Sequence, residues 1–257
     1  MTDTDVPRRY AELADAASAL RAESEAFCRS DRSDPAALLE EVTTVRDRWA
    51  ALRPFWFGPV MERRSQSYIA YPVVADDIAE LAEADSPVDA ASLRELVGAD
   101  QRGIGAVELL AVAGADDRAC DYLVAAATVV SDETRLLADD WIDFGPSLAT
   151  DDAAANRALS EIVSETVFSL GLTASENPMR AGQLAGARWA MLGDDNGSAG
   201  VSPLLDAAVV ERLTTEFDAL AALADFDVAM QLERTIATNV VADLGVTVKF
   251  SDADGDG

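Results

Sequence analysis

The residues with the most chemical promise stand together in Gln101-Arg102-Gly103-Ile104-Gly105-Ala106-Val107-Glu108-Leu109-Leu110. Glu108 lies within an otherwise apolar run. At helical spacing it either interrupts a buried face or points into a groove, and the spacing alone leaves both readings open. Buried without a partner, its carboxylate would cost several kcal/mol, so it calls for a cation or hydrogen-bond donors. Gly103 and Gly105 let another backbone or a ligand approach closely.

Other constellations offer less. Asp252-Ala253-Asp254-Gly255-Asp256-Gly257 opens like an EF-hand loop, but the bidentate glutamate six residues on is missing, which favours a solvated acidic tail. No G-x-S-x-G elbow is present to carry a serine nucleophile. Phe55-Trp56-Phe57 with Tyr68 and Tyr71 reads as an aromatic plug at the end of a helical bundle, or as a ligand wall. Cys28 and Cys120 read as two buried thiols, or as a disulfide joining the first long helix to a later one in an oxidising compartment.

Composition narrows the chemistry further. The 257 residues include 20 Lys+Arg, 47 Asp+Glu and no histidine, for a formal net charge of −27. Without imidazole there is no Ser-His-Asp triad, no HExxH zinc site and no histidine-ligated haem. The acidity argues against a nucleic-acid partner, which needs clustered cations. Lys249 is the one lysine. Uniform acidity, scarce lysine and many small Ala and Asp residues predict a halophilic source, a salt-loving archaeon, because self-repulsion of this size needs concentrated salt to screen it. No stretch reaches the ~18 apolar residues of a transmembrane helix. Met1-Thr2-Asp3-Thr4-Asp5 has no positive n-region or apolar h-region, so no signal peptide is expected in this sequence.

The elements that must position these residues are helical nearly throughout. Apolar periodicity predicts helices over 7–30, from Asp34-Pro35 to Leu52, and over 73–84, 89–97, 104–113 and 116–144. Phe55 to Pro72 reads as irregular, and Gly145-Pro146 as a break. Four further helices are expected at 152–170, 178–192, 203–223 and 228–244, with a loop at 193–202 and a short extended stretch at Val246-Thr247-Val248. Four main helices on either side of the break predict an all-α fold of two four-helix-bundle domains side by side, 1–145 carrying the Glu108 segment and 146–257.

Gly103-Ile104-Gly105-Ala106-Val107-Glu108 resembles the Gly-x-His-x-x-Glu motif of the imelysin family, with glycine in the place of histidine. Other pieces follow in the family's order. Phe57-Gly58-Pro59 after the Trp49 helix resembles its Phe-Gly-Pro, Tyr71-Pro72 its Trp-Pro, and Arg118 to Leu123 the helix after the motif. Arg180-Ala181-Gly182 is similar to an Arg-Ser-Gly helix start, and Leu244 to Asp256 to the family's closing segment. The resemblance implies an extracytoplasmic, often lipid-anchored protein linked to iron acquisition and once classed as a metallopeptidase, with a pocket between two helical bundles. Its ligand-binding residues would be Glu108 and Arg180, then Gly103 and Gly105, with Arg46, Trp49 and Tyr71 as further candidates.

Glycine at position 105 removes the nitrogen donor for zinc or haem and leaves Glu108 as the best candidate ligand of an iron species or another divalent cation. The expected function is therefore a surface-anchored binding protein for a small ligand or metal chelate, serving an iron permease, with no catalysis. A carboxylate-only metallopeptidase and an acidic scaffold for a membrane permease are the rival expectations. The acidic composition carries its own prediction. The thermal midpoint should rise steeply between about 0.1 M and about 2 M salt, and equal midpoints at the two concentrations would overturn the halophilic reading.

Overall fold

A computed structural model of the chain describes residues 5–83, 88–114, 116–173, 178–194, 200–223 and 225–248. Every regular element among them is helical: α1 (Asp5–Arg29), α2 (Ala36–Ala51), α3 (Pro59–Arg63), α4 (Gln66–Ile69), α5 (Ala75–Glu83), α6 (Ala90–Glu95), α7 (Ile104–Ala113), α8 (Asp117–Thr150), α9 (Asp152–Thr173), α10 (Arg180–Leu192), α11 (Ala207–Leu223), α12 (Phe226–Thr235) and α13 (Val241–Leu244). Short 3₁₀ turns lie at Arg53–Phe55, Ala99–Gln101 and Ser202–Leu204, and a π turn at Ile236–Val240 links α12 to α13. The all-α expectation holds. None of the described helices is long and apolar enough to cross a membrane.

Caps explain several boundaries. The Ala36 N–H donates to Asp34 Oδ1 at 2.9 Å where α2 begins, and the Ser92 N–H donates to Asp89 Oδ1 at 2.7 Å in a capping box on α6. Two departures from the sequence reading stand out. Val246 to Val248 forms no strand, and α8 runs straight through Gly145-Pro146 to Thr150. A proline inside a helix frees the carbonyl four residues earlier. Here that residue is Ile142, which is exposed, so water can satisfy the freed oxygen. The EF-hand-like segment 252–257 lies outside the described residues.

The chain divides into two compact units. The N-terminal unit is Pro7–Arg48 with Gly58–Ile142; the C-terminal unit is Met1–Val6, Trp49–Phe57 and Asp143–Gly257. Compared with ranges of 1–145 and 146–257, the chain enters the C-terminal unit twice before Asp143.

In the N-terminal unit Tyr10, Leu13 and Leu20 of α1, Leu38, Val42 and Val45 of α2, and Tyr122, Leu123, Val130, Leu137 and Trp141 of α8 are all buried. Tyr10 stacks on Trp141 with ring centroids 5.1 Å apart. Cys28 at the end of α1 and Cys120 at the start of α8 form a disulfide across 92 residues, with Cα atoms 5.6 Å apart, an arrangement that fits a protein of an oxidising compartment.

The C-terminal unit is organised around a buried ion pair. Arg53 Nε donates to Glu165 Oε2 at 2.8 Å, with side chains only 10% and 6% exposed. The guanidinium lies 4.3 Å from the Trp56 ring centroid and 4.6 Å from that of Phe168. Such a pair leaves an uncompensated buried charge if either partner is removed. Trp49 packs against Trp56 with ring centroids 4.3 Å apart and Phe55 against Trp189 at 4.6 Å, both pairs tilted, so these aromatics fill the core here. At Gly186 of α10 a Cβ would come 2.1 Å from the Ala51 carbonyl oxygen, which only glycine allows.

A second buried carboxylate, Glu133 of α8, sits inside the N-terminal unit at 1% side-chain exposure. Arg63 Nε and Ser65 Oγ each donate to Oε1 at 2.9 Å, and Arg94 Nη1 donates to Oε2 at 2.8 Å. Burial pushes the Glu133 carboxyl up, but the hydrogen bonds from Arg63, Arg94 and Ser65 outweigh it and hold it below the ordinary value. A folded-state pKa depressed in this way contributes stability above the unfolded pKa of about 4.3, and that contribution is lost as pH falls through the folded value. Glu133→Gln should therefore be less stable than wild type at neutral pH and lose less stability on acidification. Parallel acid-denaturation curves for the two proteins would refute this role.

Candidate functional site

The stretch leading into α7 is fixed before the helix begins. Arg102 Nε donates to the Ser67 carbonyl at 2.8 Å, and Nη1 donates to the carbonyls of Leu93, Arg94 and Val97 at 2.9, 3.0 and 3.1 Å. The Arg102 guanidinium also lies 4.1 Å from the Tyr68 ring centroid. The Tyr122 hydroxyl donates to the Gln101 carbonyl; burial pushes that phenol well above its ordinary value, so it stays protonated as a donor. Gly103 then caps α7 with φ +82°, where a Cβ would sit 2.7 Å from the Ile69 carbonyl oxygen. The first motif glycine is thus required by backbone geometry.

Gly105 is different. Its φ is ordinary, but a Cβ would come 2.8 Å from Cγ1 of Val73. The position where the resembling motif carries histidine is closed by an aliphatic side chain. One helical turn on, Glu108 accepts a hydrogen bond at Oε2 from Arg46 Nη2 of α2. Arg46 is 12% exposed and Glu108 43% exposed, so the cation is held in the protein and the carboxylate reaches solvent. Glu108, Gly105, Leu109, Val112 and Ala113 face Val73 across a groove of about 460 Å³ within the N-terminal unit.

The other expected site residues fall elsewhere. Tyr71 is exposed on the segment before α5, two residues from Val73. Trp49 is fully buried in the core of the C-terminal unit. Arg180 opens α10, is partly buried, and forms no ion pair among the described residues of that unit. Val73, Leu109 and Val112 were not singled out from sequence; the spacing of 105, 108, 109 and 112 along one face of a helix was the available signal.

A resident metal does not fit these residues. Position 105 offers no donor, Arg46 already neutralises Glu108, and a guanidinium beside the carboxylate opposes a second cation. Among the described residues no group of three or more His, Cys, Asp or Glu side chains is placed to hold a metal ion.

Fold and site together define an all-α protein whose glycine-rich helix start presents one paired carboxylate to an apolar groove. The chain belongs to the imelysin family, whose profile matches residues 7–188. The crystal structure of an imelysin-like protein from Psychrobacter arcticum has the same fold, with a TM-score of 0.81 at 20% identity over 97% of this chain and 94% of that one. No curated protein matches the chain.

The packing of Gly105 on Val73 is open to a direct test. Alanine normally gains about 0.5–1 kcal/mol over glycine inside a helix. In Gly105→Ala that gain should be cancelled by contact with Val73, and it should return in the Val73→Ala background. A double-mutant cycle by denaturant unfolding should give a coupling of at least about 0.5 kcal/mol, whereas additive effects would show that Val73 does not close the position.

Proposed function

We propose that this protein is a non-catalytic imelysin-like binding protein. It acts outside the cytoplasm, anchored at the cell surface of a halophilic archaeon as a lipoprotein, and serves the uptake of iron or a metal chelate. The groove along α7 takes the small ligand or chelate, with Glu108 and Arg46 as its polar pair, Gly103 and Gly105 shaping the helix start, and Tyr71 near its rim. Trp49 and Arg180 belong to the other unit, and the proposal rests on the α7 groove alone.

The observation that carries this reading is the replacement at position 105. Where an imidazole would bring a metal ligand and a base, the chain has glycine backed by Val73, while Glu108 keeps its place on a groove of about 460 Å³. A volume of that order suits a small molecule. Groove and carboxylate are present without the nitrogen donor that metal-assisted hydrolysis would draw on. The disulfide supports the extracytoplasmic part of the reading, and the net charge of −27 supports the halophilic source.

Thermal-shift titration in about 2 M NaCl, against small organic ions and iron chelates of positive, neutral and negative charge, tests the proposal. At least one compound should raise the midpoint of the wild type and leave that of Glu108→Ala unmoved, and the variant alone should melt within a few degrees of wild type. A peptide panel should stay intact with or without chelator. Chelator-sensitive cleavage would overturn the reading in favour of a peptidase, and collapse of Glu108→Ala would make Glu108 structural.

A further inference from the structure

The Cys28–Cys120 disulfide lies at an opening of the N-terminal unit and is not sealed in its core. Both cysteines line a cleft of about 560 Å³, walled in part by Val124 and Thr128. Its rim residues Arg29, Asp117 and Asp121 are exposed, so the cleft opens to solvent. The two cysteines are unequally covered. Cys28, in the last turn of α1, is half-buried, whereas Cys120, in the first turn of α8, is only 5% exposed. Arg32 spans the same two segments independently of the sulfurs: its Nε donates to the Cys28 carbonyl at 3.3 Å and its Nη2 to Asp117 Oδ1 at 2.6 Å. Further along, Tyr10 of α1 stacks on Trp141 of α8. The two helices are therefore held together by contacts other than the disulfide. A disulfide closed off from solvent exchanges only when the protein opens, but one that faces a cleft is accessible to a thiol in the folded state.

We infer that Cys28 is a thiol-exchange site, which takes a low-molecular-weight thiol from the cleft as a mixed disulfide, with Cys120 as the resolving thiol. The incoming thiolate sulfur bonds to Cys28 Sγ, the Cys28–Cys120 bond breaks, and its electron pair leaves on Cys120 Sγ. Cys120 stays beside Cys28 through the Arg32 contacts and the packing of α1 on α8. It closes the bond again by attacking Cys28 Sγ and expelling the small thiol. A second small thiol that attacks the mixed disulfide at its non-protein sulfur releases Cys28 as a thiolate instead. Two small thiols then become one disulfide, and the protein gains their two electrons. Access and size make the selection: Cys28 is the less covered partner, and a cleft of this volume suits a small molecule. Either product opens the covalent ring between residues 28 and 120 while the protein remains folded.

The test treats the oxidised full chain, folded in about 2 M NaCl, with 2-mercaptoethanol, an uncharged small thiol. Acid quenching at successive times and peptide mass mapping should place the first mixed disulfide on Cys28. The exchange rate should rise in proportion to thiol concentration without reaching a plateau. Val124→Trp, which fills the cleft one helical turn from Cys120, should slow exchange at least about tenfold by blocking access. Its oxidised form should melt within a few degrees of wild type. Thr128→Trp, one turn further along the same wall, provides the same block should Val124→Trp not fold. A rate that levels off at the rate of unfolding, a first adduct on Cys120, or exchange that a folded tryptophan variant does not slow would overturn the inference.

Discussion

The N-terminal unit depends on what one guanidinium does for helices too short to complete themselves. α4 and α6 span Gln66–Ile69 and Ala90–Glu95, and a helix of four to six residues leaves nearly all its terminal carbonyls without an internal partner. Arg102 supplies donors to four carbonyls in and around these helices: Ser67, Leu93, Arg94 and Val97. Burial pulls that guanidinium below its ordinary value, yet arginine remains charged at any working pH. Lysine, with all its donors on one nitrogen, could not serve both the Ser67 carbonyl, held by Nε, and the three carbonyls gathered at Nη1. Because Gly103 follows directly, the conformation that starts α7, and with it the direction of Gly105 and Glu108, is inherited from this one contact set.

Much of the architecture was readable from periodicity, and the failures have local causes. The apolar run flanked by glycines gave α7 its bounds, since Gly103 and Gly114 both adopt positive φ at its ends. The long stripes of α1, α2, α9 and α11 were equally plain. The segment 55–72 was read as irregular because its helices, α3 and α4, are shorter than the period that would reveal them. Pro146 misled because a proline is tolerated where the freed carbonyl meets water, which depends on exposure and not on sequence.

The site was legible in part. Glu108 stood out as a carboxylate in an apolar run, and the resemblance pointed to Arg46. Their hydrogen bond joins residues 62 apart, a pairing no spacing rule contains. Val73 closes position 105 from a distant part of the chain, so the consequence of losing the histidine became visible only in three dimensions. Glu133 carried a signal that was missed: it shares the face of α8 with Val130, Leu137 and Trp141, at intervals of three and four. A carboxylate on a core stripe announces cations that reach in to meet it, here the half-buried Arg63 and Arg94, drawn from outside α8.

The Cys28–Cys120 bond encloses more than the helices of its own unit. Residues 28–120 form a covalently closed ring, and that ring includes Trp49–Phe57, whose side chains build the core of the C-terminal unit. Arg53, the partner of buried Glu165, is delivered from within it. The two units are therefore interleaved along the chain and cannot be separated by a single cut. A fragment beginning at Asp143 would carry Glu165 without its arginine and Trp189 without Phe55. No uninterrupted stretch of the chain therefore yields either unit alone: any segment that spans one takes part of the other's core with it.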